Sequence, residues 1–156
     1  MTDWLLSLPP YLKYVALTWV PWVELRGAIP LAFQQGEQLY LPLILLANLA
    51  IFWPGFYFLE LVYHRIPEGS WLHRKLERIR TKAHPFVERY GIVGLALFVA
   101  VPLPGTGAYS GTAAAWLLDM EPKRAFLGVS LGVFIAFGLV WALTAGVAGV
   151  STLWRG

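Results

Sequence analysis

Hydrophobic and polar positions along this chain form four long apolar blocks, with one polar segment between the second and third. Block one runs from about Tyr11 to Phe33 and holds Lys13, Pro21, Glu24 and Arg26 inside it. Block two, Leu39 to Tyr63, has 25 residues and a single charge, Glu60, near its end. At about 1.5 Å rise per residue, a helix of that length crosses a hydrocarbon core of roughly 30 Å with some tilt. Block three, Gly91 to Leu118, is apolar throughout but broken by Pro102 and Pro104. Block four, Ala125 to Val150, carries no charge and is the plainest membrane span. Between them, His64 to Tyr90 predicts an interfacial helix with loops. Leu72, Leu76 and Ile79 recur at helical spacing, while Arg74, Lys75, Arg78 and Lys82 fall largely on other faces. Such a basic amphipathic helix can lie on an anionic leaflet or serve as a solvated, topology-fixing loop.

Two interruptions stand where a spanning helix should run unbroken: Pro21-Trp22-Val23-Glu24-Leu25-Arg26-Gly27-Ala28-Ile29-Pro30 and Val101-Pro102-Leu103-Pro104-Gly105-Thr106-Gly107-Ala108-Tyr109-Ser110-Gly111. Hydrocarbon has no water to satisfy freed backbone groups, so broken helix survives there only when buried or lining a cavity. Paired Gly/Pro-interrupted segments in corresponding halves point to a transporter's midplane site. The halves superpose by layout: Val20-Pro21 matches Val101-Pro102 at an offset of 81, and Leu41-Pro42 matches Glu121-Pro122 at an offset of 80. Each half reads as interrupted block, polar turn, long apolar helix. The expected organisation is one membrane domain, with repeat one at about 11–63, a basic connector at 64–90 and repeat two at about 91–150.

Charge orients this layout. Seven of the twelve Lys/Arg lie in the connector, which predicts a cytoplasmic connector in a multi-pass protein of the cell membrane. Block two then runs inward, and Lys123-Arg124 start block four on the cytoplasmic side only if blocks one and three are re-entrant hairpins rather than full spans. The expected fold class is therefore an all-α integral membrane protein. It is an inverted repeat of re-entrant helical hairpin plus transmembrane helix, with an interfacial basic helix between repeats.

Composition agrees with the membrane class: 58% of the 156 residues are hydrophobic, 13% are charged, and mean hydropathy is +0.59. There are no cysteines, which removes disulfides, thiolate metal sites and Cys nucleophiles. The net charge of +3 resides mainly in the connector, which argues against nucleic acid as a partner. The N-terminus, with Asp3 and Pro9-Pro10, does not resemble a cleaved signal peptide. Trp4, Trp19, Trp22, Trp71, Trp116 and Trp154 fall near the expected interfaces and read as belt anchors.

Candidate chemistry centres on Glu24 and Arg26, the ionisable residues deepest in an apolar block. Charge at the bilayer centre costs roughly 2.5–3.5 kcal/mol even on insertion scales, so such residues face a polar interior and do work. A carboxyl moved from wet to dry surroundings holds a proton more tightly, which gives Glu24 a way to couple transport to protons. Arg26 stays charged, and its planar fork suits phosphate or carboxylate. The structural alternative is that the two neutralise each other, or that Arg26 caps carbonyls freed by Pro30. The second interruption supplies Pro102, Pro104, Gly105, Gly107 and Gly111 with Thr106, Tyr109 and Ser110. Its glycines permit close backbone approach and N–H groups turned toward an anion, and Gly107-x-x-x-Gly111 equally suits helix packing. Asn48 and Glu60 are secondary candidates, Glu60 more as a partner of the connector. Gly128-x-x-x-Gly132, followed by Gly138, predicts a small-residue face in block four. His64, His73 and His84 fit no usual metal spacing, and no Ser/His/Asp arrangement appears. Neither a cofactor nor an enzyme is expected.

At Pro21-x-x-Glu24-Leu25-Arg26-Gly27-Ala28-Ile29-Pro30, and at the second stretch from Val101 to Gly111, the chain resembles the bacterial and archaeal family of putative small multidrug export proteins. That family is similar in layout to the DedA superfamily. The resemblance implies two re-entrant hairpins and transport of lipids such as undecaprenyl phosphate, with Glu24 as coupling acid and Arg26 as phosphate ligand. The second hairpin departs from the DedA pattern, with Thr106, Tyr109 and Ser110 where an arginine is expected. Three functions follow as expectations. The first is a proton-coupled transporter or flippase for an amphiphilic anion. The second is a proton-coupled exporter of small cationic drugs, and the third a structural membrane subunit. Two spans and two hairpins enclose little space, so a homodimer or larger homo-oligomer among membrane lipids is expected.

Overall fold

The computed structural model describes residues 8–101 and 106–153, and all regular structure among them is helical. The helices are α1 Pro10–Trp19, α2 Glu24–Gln34, α3 Leu41–Ala50, α4 Phe52–His64, α5 Trp71–Ala100, α6 Ala108–Leu117 and α7 Pro122–Leu153, with a 3-10 turn Gln38–Tyr40 leading into α3.

Local sequence explains where these helices stop. Pro21 disfavours helical backbone at the residue before it, and Val20 is extended (φ −75°, ψ 121°), ending α1. The same rule ends α5, where Val101 precedes Pro102 and has ψ 121°. Gly36 takes φ +69° just beyond α2, and the Glu37 N–H closes back on the Ala32 carbonyl at 2.8 Å. That reversal brings Glu37 to the start of α1. Lys13 Nζ lies 2.7 Å from Glu37 Oε2 and donates to Gln35 Oε1, and the Tyr14 hydroxyl donates to Glu37 Oε2 at 2.5 Å. The cluster ties the open end of an antiparallel α1–α2 pair. Each arm, of 10 and 11 residues, is about 15 Å long, half the roughly 30 Å of a bilayer core.

Lys13 and Tyr14 hold the Glu37 carboxyl below its usual range through their hydrogen bonds. A carboxyl lowered in the folded state stabilises above its unfolded value of about 4.3, and that stabilisation is lost as pH falls through the folded value. Thermal unfolding of the wild type should therefore weaken with acid in this window. Glu37→Gln should be less stable at neutral pH and show a flatter acid limb.

Two helical stretches, Gln38–His64 and Pro122–Gly149, are long and apolar enough to cross a membrane. Expected block two is interrupted only at Ile51. Pro54 has no N–H to give the Ala50 carbonyl, and the Ile51 N–H instead takes a short-range bond to the Asn48 carbonyl at 3.2 Å. Block four is the unbroken α7. The connector and the first arm of block three are one helix, α5, capped at its start by Ser70 Oγ, which accepts the His73 N–H at 3.1 Å. The change from polar to apolar sequence near Tyr90 alters what the helix faces without breaking its backbone.

Helices α5 and α7 pack through small residues. A Cβ at Gly132 would lie 2.5 Å from Val99 Cβ and 2.6 Å from the Ala96 carbonyl, and one at Gly128 would lie 3.1 Å from the Ile92 carbonyl. Gly138, expected on the same face, has open space around it. Gly132→Val should therefore destabilise by about 1–3 kcal/mol, as overpacked cores do, while Gly138→Ala should be near neutral in detergent unfolding. The buried core joins Tyr14, Ile29, Ile44, Phe52, Val99, Val129 and Val133. Leu46, Phe58, Leu97, Phe134 and Leu143 point outward, an apolar exterior suited to lipid.

Candidate functional site

The closed end of the α1–α2 pair meets the turn between α5 and α6, and both ionisable residues of the first interruption reach across. Glu24 opens α2 with φ +44°, a left-handed conformation costly for a residue with a Cβ. From there its carboxylate accepts hydrogen bonds from the Ala108 N–H at 3.2 Å and the Tyr109 N–H at 3.3 Å. These are the first N–H groups of α6, which have no partner within their own helix and lie at the positive end of its dipole. The carboxylate is buried, 7% exposed, so an unmet charge there would be costly.

Arg26 does the complementary job at the end of α5. Its Nη2 donates to the Val99 carbonyl at 3.1 Å, to the Val101 carbonyl at 2.9 Å and to the Thr106 carbonyl. Helix α5 presents unmet carbonyls and negative dipole there, and a guanidinium fork suits several acceptors at once. Glu24 and Arg26 thus hold opposite helix ends, one N-terminal and one C-terminal. The Val99, Val101 and Thr106 carbonyls flank Pro102, two before it and one after.

The second interruption contributes backbone and hydroxyls. Gly107 donates its N–H to Ser110 Oγ at 2.8 Å, and Thr106 Oγ1 donates to the Val101 carbonyl at 2.6 Å. A Cβ at Gly107 would collide with the Glu24 carboxylate. Gly111 serves packing: a Cβ there would meet Val99 and Val129. The Tyr109 hydroxyl donates to the Trp19 carbonyl at 2.6 Å, tying α6 back to the end of α1. Expected residues Pro102, Pro104 and Gly105 lie outside the described residues. Pro30 lies six residues beyond Glu24 within α2 and does not line the cavity described next.

Two cavities flank Tyr109. The smaller, about 200 Å³, is lined by Pro21, Trp22, Glu24, Arg26, Tyr109 and Ser110. The larger, about 520 Å³, is an apolar cleft formed by Trp19, Pro54, Phe58, Leu59, Tyr109 and Thr112 among others. This cleft is not foreshadowed by the sequence pattern, although Pro54-Gly55 in an otherwise unbroken span marks the place where α4 leaves room. The Lys13–Gln35–Glu37 cluster is likewise unforeseen. Its signal is two charges 24 apart, a spacing that matches two ten-residue arms and a tight turn.

The secondary candidates lie elsewhere. Asn48 is fully buried in α3, and neither amide atom has a hydrogen-bond partner among the described residues. Glu60 Oε2 accepts the Trp116 indole N–H at 2.8 Å, and its other oxygen is 3.4 Å from His64 Nε2. Trp116, expected as an interfacial anchor, is instead buried against α4 and α5. Arg80 of α5 stacks over both Tyr63 and Trp116 and pairs with Asp119 at 3.2 Å.

The model of the family described as "Putative small multi-drug export protein" matches residues 24–139, from Glu24 through the whole contact between the two interruptions and well into α7. No curated protein and no solved structure matches the chain. The family match covers well over half of the chain, and two helices are long and apolar enough to span a bilayer. The protein therefore belongs to the small multi-drug export family of membrane proteins.

Proposed function

We propose that this protein transports an amphiphilic anion across the membrane, a polyprenyl phosphate lipid carrier being the type case, and that protonation of Glu24 opens the binding site. The observation that carries this reading is the carboxylate on the first N–H groups of α6 beside the Arg26 guanidinium. A helix N-terminus next to a guanidinium is a place for an anion, and here the chain fills it with its own. Protonation removes the charge that binds those N–H groups. The headgroup of a substrate then takes the N–H groups, Ser110 and one edge of Arg26, while its apolar part lies in the cleft beyond Tyr109. Return of the carboxylate expels the headgroup, so carboxylate and anion alternate on one set of donors, and proton and anion are bound together.

Fold geometry supports a transport role. The α1–α2 pair and the pair made by the end of α5 with α6 are read as re-entrant hairpins meeting near the midplane. Their short arms, the Pro-defined breaks and the tip-to-tip hydrogen bonds support that reading. The open end of the first lies where α3 begins, and that of the second lies beside the end of α4 and the start of α7. Opposed open ends are what an inverted repeat provides for alternating access. The connector is assigned to the cytoplasm by its charge, and the working unit is a homodimer or larger assembly, since one copy offers few walls for a lipid-sized substrate.

A second reading, export of small cations, is favoured by the family description and by Trp22 and Tyr109, which line a cavity with Glu24. Thermal unfolding at two pH values separates the two, because a ligand that binds the folded state raises the midpoint. Lipid phosphates should stabilise the protein, more at acidic than at alkaline pH. Stabilisation by cationic drugs, with none by lipid phosphates, would transfer the assignment to the second reading.

A further inference from the structure

The first turns of α5 carry a feature that the transport reading does not use. At about 100° per residue, Trp71, Arg74, Lys75 and Arg78 share one side of the helix. All four are exposed, and together they line a cavity of about 430 Å³. Lys75 Nζ lies 4.8 Å from the centre of the Trp71 ring, which stands 68% exposed. Among the described residues no carboxylate pairs with Arg74, Lys75 or Arg78.

The opposite side of the same turns is held against the body. His73 stacks on Tyr63 at 5.3 Å, Glu77 accepts the Tyr63 hydroxyl at 2.5 Å, and Arg80 lies over Tyr63 and Trp116. Tyr63 is in the last turn of the apolar span Gln38–His64. These contacts fix the basic stripe at the depth where that span leaves the hydrocarbon, which is the level of lipid headgroups. A stripe at that depth meets phosphates of a leaflet rather than a nucleic acid in solution. Its exposed indole suits the boundary between headgroup and acyl chain.

We propose that Arg74, Lys75 and Arg78, with Trp71 beside them, form a binding site for the phosphate headgroup of an anionic membrane phospholipid. The lipid lies with its phosphate among the three cations and its upper acyl chain against the indole. It anchors α5, and through Arg80 the ends of α4 and α6, to one leaflet.

Contact quenching tests this on the full chain reconstituted in vesicles of phosphatidylglycerol and phosphatidylcholine, with brominated acyl chains on one lipid at a time. The Trp71 signal is the difference between wild type and Trp71→Phe. Brominated phosphatidylglycerol should quench it roughly threefold more than its share of the lipid predicts, as expected for a local cluster of cations at an anionic surface. The triple variant Arg74→Gln, Lys75→Gln, Arg78→Gln, all at exposed positions, should bring quenching by the two lipids to parity with helical content unchanged. Equal quenching in the wild type would overturn the proposal, as would an unchanged preference in the triple variant. Millimolar inorganic phosphate at constant ionic strength should leave the preference intact. Loss of the preference would mean that the cations take free phosphate and would overturn the lipid assignment.

Discussion

Gly107→Ala is expected to abolish transport and to destabilise the protein by about 1–3 kcal/mol, the cost of forcing one extra methyl into a filled space. The backbone at Gly107 (φ −136°, ψ −159°) is one that any residue adopts, so alanine brings no conformational strain. What excludes it is the Glu24 carboxylate, which occupies the space that a Cβ would take. The methyl group must push the carboxylate off the Ala108 and Tyr109 N–H groups, leaving buried donors and a buried charge unmet. Glu24→Ala alone should also destabilise, because it orphans the same N–H groups. Combined, the two substitutions should cost less than their sum, since the clash disappears with the carboxylate. Residues in direct contact show coupling of about 0.5–3 kcal/mol in such cycles. Unfolding of the four proteins in mixed micelles measures the coupling, and strictly additive effects would mean that the two do not touch. Transport should stay absent in the double variant, because its acid is gone.

Arg26→Ala carries the second large effect. Val99 and Thr106 lose the Arg26 donor while Val101 keeps that of Thr106 Oγ1, and a buried carbonyl left without a donor costs about 1–3 kcal/mol. The expected outcome is a protein that elutes from detergent size exclusion largely aggregated, or unfolds at a much lower temperature. Arg26→Lys keeps the charge but not the planar fork, so it should fold with intermediate stability. A lysine variant that folds but no longer gains stability from lipid phosphate would place Arg26 in substrate binding as well as capping. An Arg26→Ala protein as stable as the wild type would show that the carbonyls do not depend on the guanidinium. Faster cation export by that variant would support the second reading of function.

Proline and glycine made both interruptions legible in the sequence, because proline acts locally on the residue before it, although Pro30 and Pro85 lie inside helices. Pro21 and Pro102 each end a helix one residue earlier, as Val20 and Val101 show. Unbroken apolar runs likewise foretold α7 and the α3–α4 span. The partners of the charged residues were not legible. Nothing local tells Glu24 that its donors lie 84 and 85 residues away, nor Arg26 that its acceptors surround Pro102. A helix end attracts opposite charge in general, and only packing decides which charge arrives. The continuity of α5 through Tyr90 was not legible for a related reason: polarity sets what a helix faces, whereas continuity depends on backbone hydrogen bonds. Trp116 shows the same limit, since an amphipathic ring near a helix end suits an interface until Glu60 of a neighbouring helix offers it an acceptor.

Proton-coupled transport through Glu24 is measured in proteoliposomes carrying a labelled polyprenyl phosphate, comparing wild type with Glu24→Gln under an imposed pH gradient. Glutamine keeps the shape of the side chain and an oxygen for the α6 N–H groups but cannot exchange a proton. Wild type should show gradient-driven appearance of the phosphate in the opposite leaflet, and Glu24→Gln none above protein-free vesicles. Equal movement by both proteins, or none by the wild type, would contradict proton-coupled transport through Glu24.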